Sequence, residues 1–145
     1  MTEVSPYWGD GVARVNTAGW GTFTNCKLPN RSASPQGITK GSDGNLWFTE
    51  SGGDRIGRIT TAGILVEFAL RAGSRPEQIV TGPDGNLWFT ETGTNKIGRL
   101  TIQGELTELA VPTTASQPFG LTSDPDRQLF FTERAGNRIG AVTGF

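Results

Sequence analysis

The sequence predicts an all-β chain of the β-propeller class, built from repeated four-stranded blades, and three observations carry that prediction. The string DGNLWFTE at residues 43–50 recurs intact at 84–91 and as DRQLFFTE at 126–133. The copies start 41 and 42 residues apart, and four short strands in about 40 residues are typical of a propeller blade. No segment shows a sustained helical apolar period. A chain of this kind repeats one supersecondary unit around an axis.

Each repeat divides into four candidate strands, A to D. In the first full repeat, QGIT after Pro35 predicts strand A, and the Asp43–Gly44 dipeptide predicts a tight turn with positive φ at the glycine. The segment NLWFTE predicts strand B, and the alternating RIGRIT predicts strand C. A TAG turn then leads into ILVEFAL as strand D. We expect the turn aspartates to bind backbone N–H groups of their own turns; they are Asp43, Asp84 and Asp126.

Two large rings stand side by side in every strand B, at residues 47–48, 88–89 and 130–131. Because neighbouring strand residues face opposite sides of a sheet, each blade should show one ring to the blade before it and one to the blade after it. A sheet with two apolar faces has to be sandwiched. A single repeat is therefore not expected to stand alone.

The repeats indicate one propeller-type domain over residues 1–145. Residues 1–34 form a partial blade with C- and D-like strands, 35–75 and 76–117 are blades, and 118–145 are an incomplete blade without strand D. Propellers typically have four to eight blades. We expect the N-terminal D-like strand of one copy to complete the last blade of a second copy, which gives a homodimer with a six-bladed ring. The alternative is that the sequence is a piece of a longer one.

Charge and apolar patterning exclude several partners. The chain has 13 basic and 14 acidic residues and a net charge of −1, which does not predict nucleic-acid binding. No apolar run is long enough to span a membrane, and the first residues lack a signal-peptide pattern. A cytoplasmic location is the default expectation. The single cysteine, Cys26, is expected to be a small buried hydrophobe.

The chain contains no histidine. Histidine is the commonest general base at neutral pH and the commonest ligand of transition metals. Its absence excludes Ser-His-Asp triads, Cys-His dyads and histidine-based zinc sites within this sequence.

A glutamate ends every strand B, at Glu50, Glu91 and Glu133. Several blades would present these carboxylates at one face of the ring, where they could hold Mg²⁺, Ca²⁺ or an amine. Alternatively, each accepts hydrogen bonds from the adjoining loop or from a strand C arginine, namely Arg58, Arg99 or Arg138. Because every copy has one, the structural role is favoured over the metal or ligand ring.

The repeat pattern P-x-G-I-T-x-G-x-D-G-N-L-W-F-T-E-x-x-x-N-x-I-G-R-I-T-x-x-G is specific. It is matched by residues 35–63 and 76–104, and more loosely by 118–141. The pattern resembles the virginiamycin B lyase family, the streptogramin lyases. That resemblance implies a seven-bladed propeller that opens the ester ring of a cyclic depsipeptide antibiotic by elimination. It also implies a general base that removes the proton beside the ester carbonyl, and Mg²⁺ that polarises the ester.

The resemblance further implies where site residues should lie. The family's histidines follow the strand A proline in two blades, near a glutamate that ends a WFTE motif. Here the positions after the proline hold Gln36, Glu77 and Phe119. Glu77 and Glu91 are therefore the candidate catalytic residues that remain.

Two main hypotheses follow, and the sequence leaves the enzyme question open. The missing histidines favour a non-catalytic propeller that binds a small cyclic peptide or assembles with itself. The alternative is a Mg²⁺-dependent lyase acting on streptogramin B depsipeptides through carboxylates. A purely structural chain, engineered or selected for propeller assembly, is a third hypothesis.

Overall fold

A computed structural model describes residues 11–16, 22–124 and 126–145, and within them the chain forms β-strands and no helix. A two-stranded sheet pairs β1 (Gly11–Asn16) with β2 (Thr22–Lys27). Blade 1 consists of β3 (Pro35–Lys40), β4 (Leu46–Glu50), β5 (Arg55–Ile59) and β6 (Leu65–Ala69). Blade 2 consists of β7 (Pro76–Thr81), β8 (Leu87–Glu91), β9 (Lys96–Leu100) and β10 (Leu106–Ala110). Blade 3 consists of β11 (Pro118–Ser123), β12 (Leu129–Glu133) and β13 (Arg138–Val142).

All four sheets are antiparallel meanders in which neighbours in sequence are neighbours in the sheet. Strands A to D of the sequence correspond in order to β3–β6 and to β7–β10, and the all-β propeller prediction is confirmed. Over the described part of the chain, no helix has the length and apolar character needed to cross a membrane.

The two rings of strand B face opposite sides, as the alternation predicts. We call the side that carries the first ring the forward face and the other side the back face. Trp47 on the forward face of blade 1 packs in one cluster with Phe89 on the back face of blade 2. Trp88 packs with Phe131 across the next interface. Phe48, on the back face of blade 1, packs against Leu28 after β2.

A glycine in strand C makes room for the second ring. Phe89 lies opposite Gly98 in the register of β8 and β9. A Cβ placed on Gly98 would stand 2.3 Å from the Phe89 ring, closer than two carbons can approach. The same cross-strand pair recurs in the other blades, as Phe48 with Gly57 and Phe131 with Gly140. The ring therefore lies flat on its own sheet while its other side meets the preceding blade.

The turn aspartate also holds the first ring. Asp43 Oδ1 accepts hydrogen bonds from the backbone N–H of Asn45 at 3.1 Å and from Trp47 Nε1 at 3.0 Å. Gly44 between them has φ of 78°, which confirms the predicted turn. Because indole N–H groups need a partner when buried, the four-residue spacing of aspartate and tryptophan satisfies a group that would otherwise be stranded in the core.

Blade 2 repeats this turn and adds a hydrogen bond from a strand C arginine. Asp84 Oδ1 accepts from Trp88 Nε1 at 3.0 Å, and Arg99 Nε donates to Asp84 Oδ2 at 2.8 Å. Burial by itself raises the pKa of Asp84. Hydrogen bonds from Asn86, Trp88 and Arg99 together outweigh burial and lower the pKa to about 2.

The turn of blade 3 is built differently. The expected cap at Asp126 is replaced by Asp124, whose Oδ1 accepts from the backbone N–H of Gln128 at 2.9 Å. Arg127 occupies the glycine position with φ of 64°. Phe130 replaces the tryptophan, so this turn has no indole N–H to bind.

Buried threonines tie successive blades together. Thr49 Oγ1 accepts from the backbone N–H of Gly37 in its own blade at 2.8 Å and donates to the carbonyl of Glu77 in the next blade at 2.7 Å. Thr90 accepts from Gln78 at 3.1 Å and donates to the carbonyl of Phe119 at 2.9 Å. One threonine hydroxyl thus fixes strand A of its own blade relative to strand A of the next blade.

Candidate functional site: the inner rim

One edge of the blades gathers the sequence-predicted site residues. Because strands A and B are antiparallel, the start of A lies beside the end of B, and Pro35, Pro76 and Pro118 pair with Glu50, Glu91 and Glu133. Each strand A has an irregular register just after its proline. Bulges of this kind re-aim side chains and are common beside functional sites. We call this edge the inner rim.

The positions that follow the proline differ in exposure and in partners. Gln36 is exposed, whereas Glu77 and Phe119 are half-buried. Glu77 Oε1 accepts a hydrogen bond of 3.2 Å from Ser51 Oγ of the preceding blade. The guanidinium carbon of Arg134 lies 3.8 Å from the centre of the Phe119 ring, a cation–π contact.

The three strand B glutamates are buried. The exposed fraction of the residue is 0% for Glu50 and Glu91 and 6% for Glu133. The loop between strands B and C runs directly over each carboxylate: a Cβ on Gly53 would lie 3.1 Å from Glu50 Oε2, and one on Gly136 would lie 2.7 Å from Glu133 Oε2. The carboxylates therefore lie under their own loops, away from solvent.

Glu91 shows what such burial does to a carboxyl group. Its Oε2 accepts a hydrogen bond of 2.7 Å from Thr94 Oγ1 in the covering loop. Burial raises the pKa of Glu91 above its ordinary value of 4.5, with Glu108 adding to the rise while Thr94 and nearby polar groups oppose it. Compared with an exposed glutamate, the carboxyl of Glu91 therefore holds its proton to a higher pH.

The structure does not bring the three glutamates together. In residues 11–16, 22–124 and 126–145, no three His, Cys, Asp or Glu side chains are grouped so that they could hold a metal ion. Two of the strand C arginines suggested as glutamate partners contact other groups. Arg99 donates to Asp84. Arg58 lies over the Trp47 ring, with its guanidinium carbon 5.5 Å from the ring centre.

The residue after each glutamate belongs to the rim and was missed by sequence reasoning. Ser51 reaches Glu77, and Thr92 Oγ1 donates to the carbonyl of Pro118 at 2.7 Å. Arg134 takes the same place in blade 3 and covers Phe119. The sequence does contain a signal for this position, because its residue type varies between the repeats. It holds Ser, Thr and Arg directly after the threonine–glutamate pair that all three copies keep.

Comparisons with known proteins agree on one family. Residues 5–144 match the Virginiamycin B lyase family. The crystal structure of virginiamycin B lyase from Staphylococcus aureus superposes with a TM-score of 0.89 at 40% identity, over 93% of this chain and 46% of that one. A curated virginiamycin B lyase from Bacillus licheniformis is 42% identical over 41 residues, 28% of this chain and 14% of the relative.

A further structure concerns catalysis directly. It holds the Staphylococcus aureus enzyme with quinupristin, made catalytically inactive by replacing one histidine with alanine, and it matches with a TM-score of 0.88 at 41% identity. The match covers 92% of this chain and 45% of that chain. The present chain thus spans less than half the length of these solved relatives.

Proposed function

Because its residues 5–144 match the family, the chain belongs to the virginiamycin B lyase family, and we propose that it acts as a non-catalytic propeller of that family. In this proposal it binds a small cyclic peptide at the inner rim without opening it, and it closes its ring with a second copy. The observation that carries the proposal is the burial of all three strand B glutamates beneath their own loops.

The chemistry of ring opening supports the non-catalytic assignment. A general base has to come within hydrogen-bond reach of the proton that it removes. Glu50 and Glu91 have no exposed surface, and the chain has no histidine to replace them. Glu77 is the remaining rim carboxylate among the candidates, and it is engaged by Ser51. In the relative with quinupristin, loss of a single histidine accompanies loss of catalysis.

A binding and turnover experiment tests this proposal. Quinupristin is incubated with the protein and Mg²⁺, and the products are separated by liquid chromatography, since elimination opens the ring without changing the mass. We expect saturable binding by calorimetry and no ring-opened product. Arg134→Ala should weaken binding, because Arg134 covers Phe119 at the rim, whereas Arg71→Ala on an exposed loop should not. Ring opening at a rate proportional to protein concentration would overturn the proposal.

Self-association is the second part of the proposal, and blade 3 supports it. Ile139 on its forward face is 75% exposed, while its counterparts Ile56 and Ile97 are 0% and 1% exposed because the next blade covers them. An apolar sheet face of this kind is a contact surface in other proteins. Light scattering should give twice the chain mass of 15.5 kDa. A stable single-chain mass at micromolar concentration would contradict it.

The alternative function is a Mg²⁺-dependent lyase, favoured by the 40% and 41% identity to lyase structures over nine tenths of this chain. Glu77 would then act as the base, and Glu91 would help to hold Mg²⁺. The same quinupristin assay distinguishes the two functions. Turnover that needs Mg²⁺ and is lost in Glu77→Gln, with the fold retained, would establish the lyase.

A further inference from the structure

We propose that the outer edge of β13 takes β2 of a second copy, so that β11, β12 and β13 of one chain and β2 of its partner form a four-stranded hybrid blade. The proposal rests on the self-association proposed above and gives that association a defined strand register. Two such exchanges close a symmetric ring of two chains. The role of β2 is then that of strand D in the partner's blade.

The strand pairing supplies the first argument. β5 pairs with β4 on one edge and with β6 on the other, and β9 likewise pairs with β8 and β10. β13 is the third copy of this strand, and within the described residues it pairs with β12 alone. Its outer edge therefore presents a row of N–H and C=O groups that can template another strand.

β2 has the register of a strand D. In the two-stranded sheet Val12 pairs with Cys26 and Val15 with Phe23. In blade 1 the corresponding pairs are Ile56 with Phe68 and Ile59 with Leu65. β1 thus occupies the place of strand C, the same place that β13 occupies in blade 3. Replacing β1 by the partner's β13 puts Ile139 opposite Cys26 and Val142 opposite Phe23.

Two apolar surfaces beside β13 would be covered if β2 of a second copy paired with it. One is the forward face at Ile139, and the other is a groove on the back face. On the forward face, Ile139 is 75% exposed, and Cys26 packs against the cluster that includes Phe48 of blade 1. Bringing β2 alongside β13 therefore carries the partner's blade 1 over Ile139. This is the same cover that Ile56 receives from blade 2 and Ile97 from blade 3.

On the back face, a groove of about 260 Å³ runs beside β13 and is lined in part by Ile97, Phe131 and Val142. In blade 1 the corresponding place, next to Phe48 and Ile59, is filled by Leu65 of strand D. By the register above, position 23 of β2 takes the place along the strand that residue 65 has in blade 1. The groove then lies where blade 1 has its strand D.

We call the contact between β13 of one chain and β2 of its partner the seam. A threonine hydrogen bond of the kind that joins successive blades can also form there. Thr49 and Thr90 each donate to the carbonyl of the residue after the next blade's strand A proline. Thr132 is exposed and accepts from the backbone N–H of Gly120 at 2.8 Å. The equivalent acceptor in an arriving blade 1 is the carbonyl of Gln36. A second copy thus supplies the edge strand, the covering face and this hydrogen bond once its β1 has left the edge of β2 with which it pairs in the single chain.

Cross-linking tests the register. Ile139→Cys is combined with the native Cys26, and a short bifunctional thiol reagent is added to the purified protein. Cross-strand neighbours lie about 5 Å apart at Cβ, so we expect most of the protein to become a covalent two-chain species. Ile64→Cys is the matched control, because Ile64 is also well exposed, at 62%, but lies in the turn before β6. Cys26→Ser should abolish the cross-link.

Light scattering on Ile139→Asp and Ile64→Asp separates the two proposals. We expect two-chain mass for the native protein and Ile64→Asp, and one-chain mass for Ile139→Asp with unchanged circular dichroism. A native one-chain mass overturns self-association and the seam together, and leaves this face to further blades of a longer chain. A two-chain mass without the Cys26 cross-link overturns the seam alone. Masses larger than that of two chains would overturn the closure of the ring by two copies.

Discussion

Blades 2 and 3 share one repeat but differ on their forward faces. In blade 2, Trp88 is 1% exposed, donates to Asp84, and has the Arg99 guanidinium 5.7 Å from its ring centre. Blade 3 has Phe130 at the tryptophan position, half-buried, and Ala141 at the arginine position. The aspartate–tryptophan–arginine arrangement therefore belongs to a face that another blade covers. The repeat thus encodes contacts between blades as well as strands.

The largest expected difference is between Trp88→Ala and Phe130→Ala. Removing a fully buried Trp should cost about 3–5 kcal/mol of unfolding free energy, because a cavity replaces a large apolar surface. Removing the half-buried Phe130 should cost about 1–2 kcal/mol. Urea denaturation measures both. The loss for Phe130→Ala should grow with protein concentration if a second copy covers this face, whereas equal losses at high dilution would contradict the comparison.

A second prediction transplants the blade 3 residues into blade 2. A Cβ on Gly82 would lie 2.4 Å from Trp88 Cδ1, so Gly82→Asp should cost about 1–3 kcal/mol by overpacking. Blade 3 has Asp124 and Phe130 at these two positions. We therefore expect the double variant Gly82→Asp/Trp88→Phe to lose at least about 0.5 kcal/mol less than the sum of the single losses in a double-mutant cycle. Additive losses would show that the two substitutions are unrelated.

The blade contacts divide into those that the sequence predicts and those that it does not. Period-two alternation was enough to place Trp47 and Phe48 on opposite faces, because strand geometry leaves no other choice. The Trp47–Asp43 bond was not predicted, since it depends on how an indole folds back over a turn. The Thr49 bridge joins residues 28 apart in the chain, and a bond between blades has no local signature.

The glutamates mark the limit of sequence reasoning at the site. Their position at the end of strand B was evident from the repeat, and the resemblance to the family implied their proximity to the residue after the strand A proline. Whether a side chain at a strand end turns outward to the rim or inward beneath a loop depends on the loop path. Positive φ at Asp54, Asn95 and Asn137 shapes those loops, and a non-glycine residue in that conformation is not readable from residue type alone.

The threonine bridges give a third, smaller contrast. Thr90→Val keeps the shape but leaves the half-buried N–H of Gln78 and the carbonyl of Phe119 without this partner, which should cost about 1–3 kcal/mol. Thr132→Val removes a bond at an exposed position and should cost about 0.5 kcal/mol. Urea midpoints for the two variants, with Thr90→Ser as the variant that restores the bridge, test this difference. A Thr132→Val loss as large as that of Thr90→Val would contradict it.

The last contrast is the pH dependence that the stability of blade 2 has through Asp84. Its pKa is about 2 in the folded chain and about 4 in an unfolded chain, so the folded state favours the ionised carboxylate. The resulting stability is present above pH 4 and is lost as pH falls toward 2, because the unfolded chain takes up the proton first. For this partly exposed site we expect a loss on the order of 1 kcal/mol.

Asp84→Asn should flatten the change in urea midpoint between pH 5 and pH 2.5. Asp126→Asn, at the exposed position that Asp84 matches in blade 3, should leave it steep. An equally steep profile in Asp84→Asn would mean that the covered face does not depend on this carboxylate.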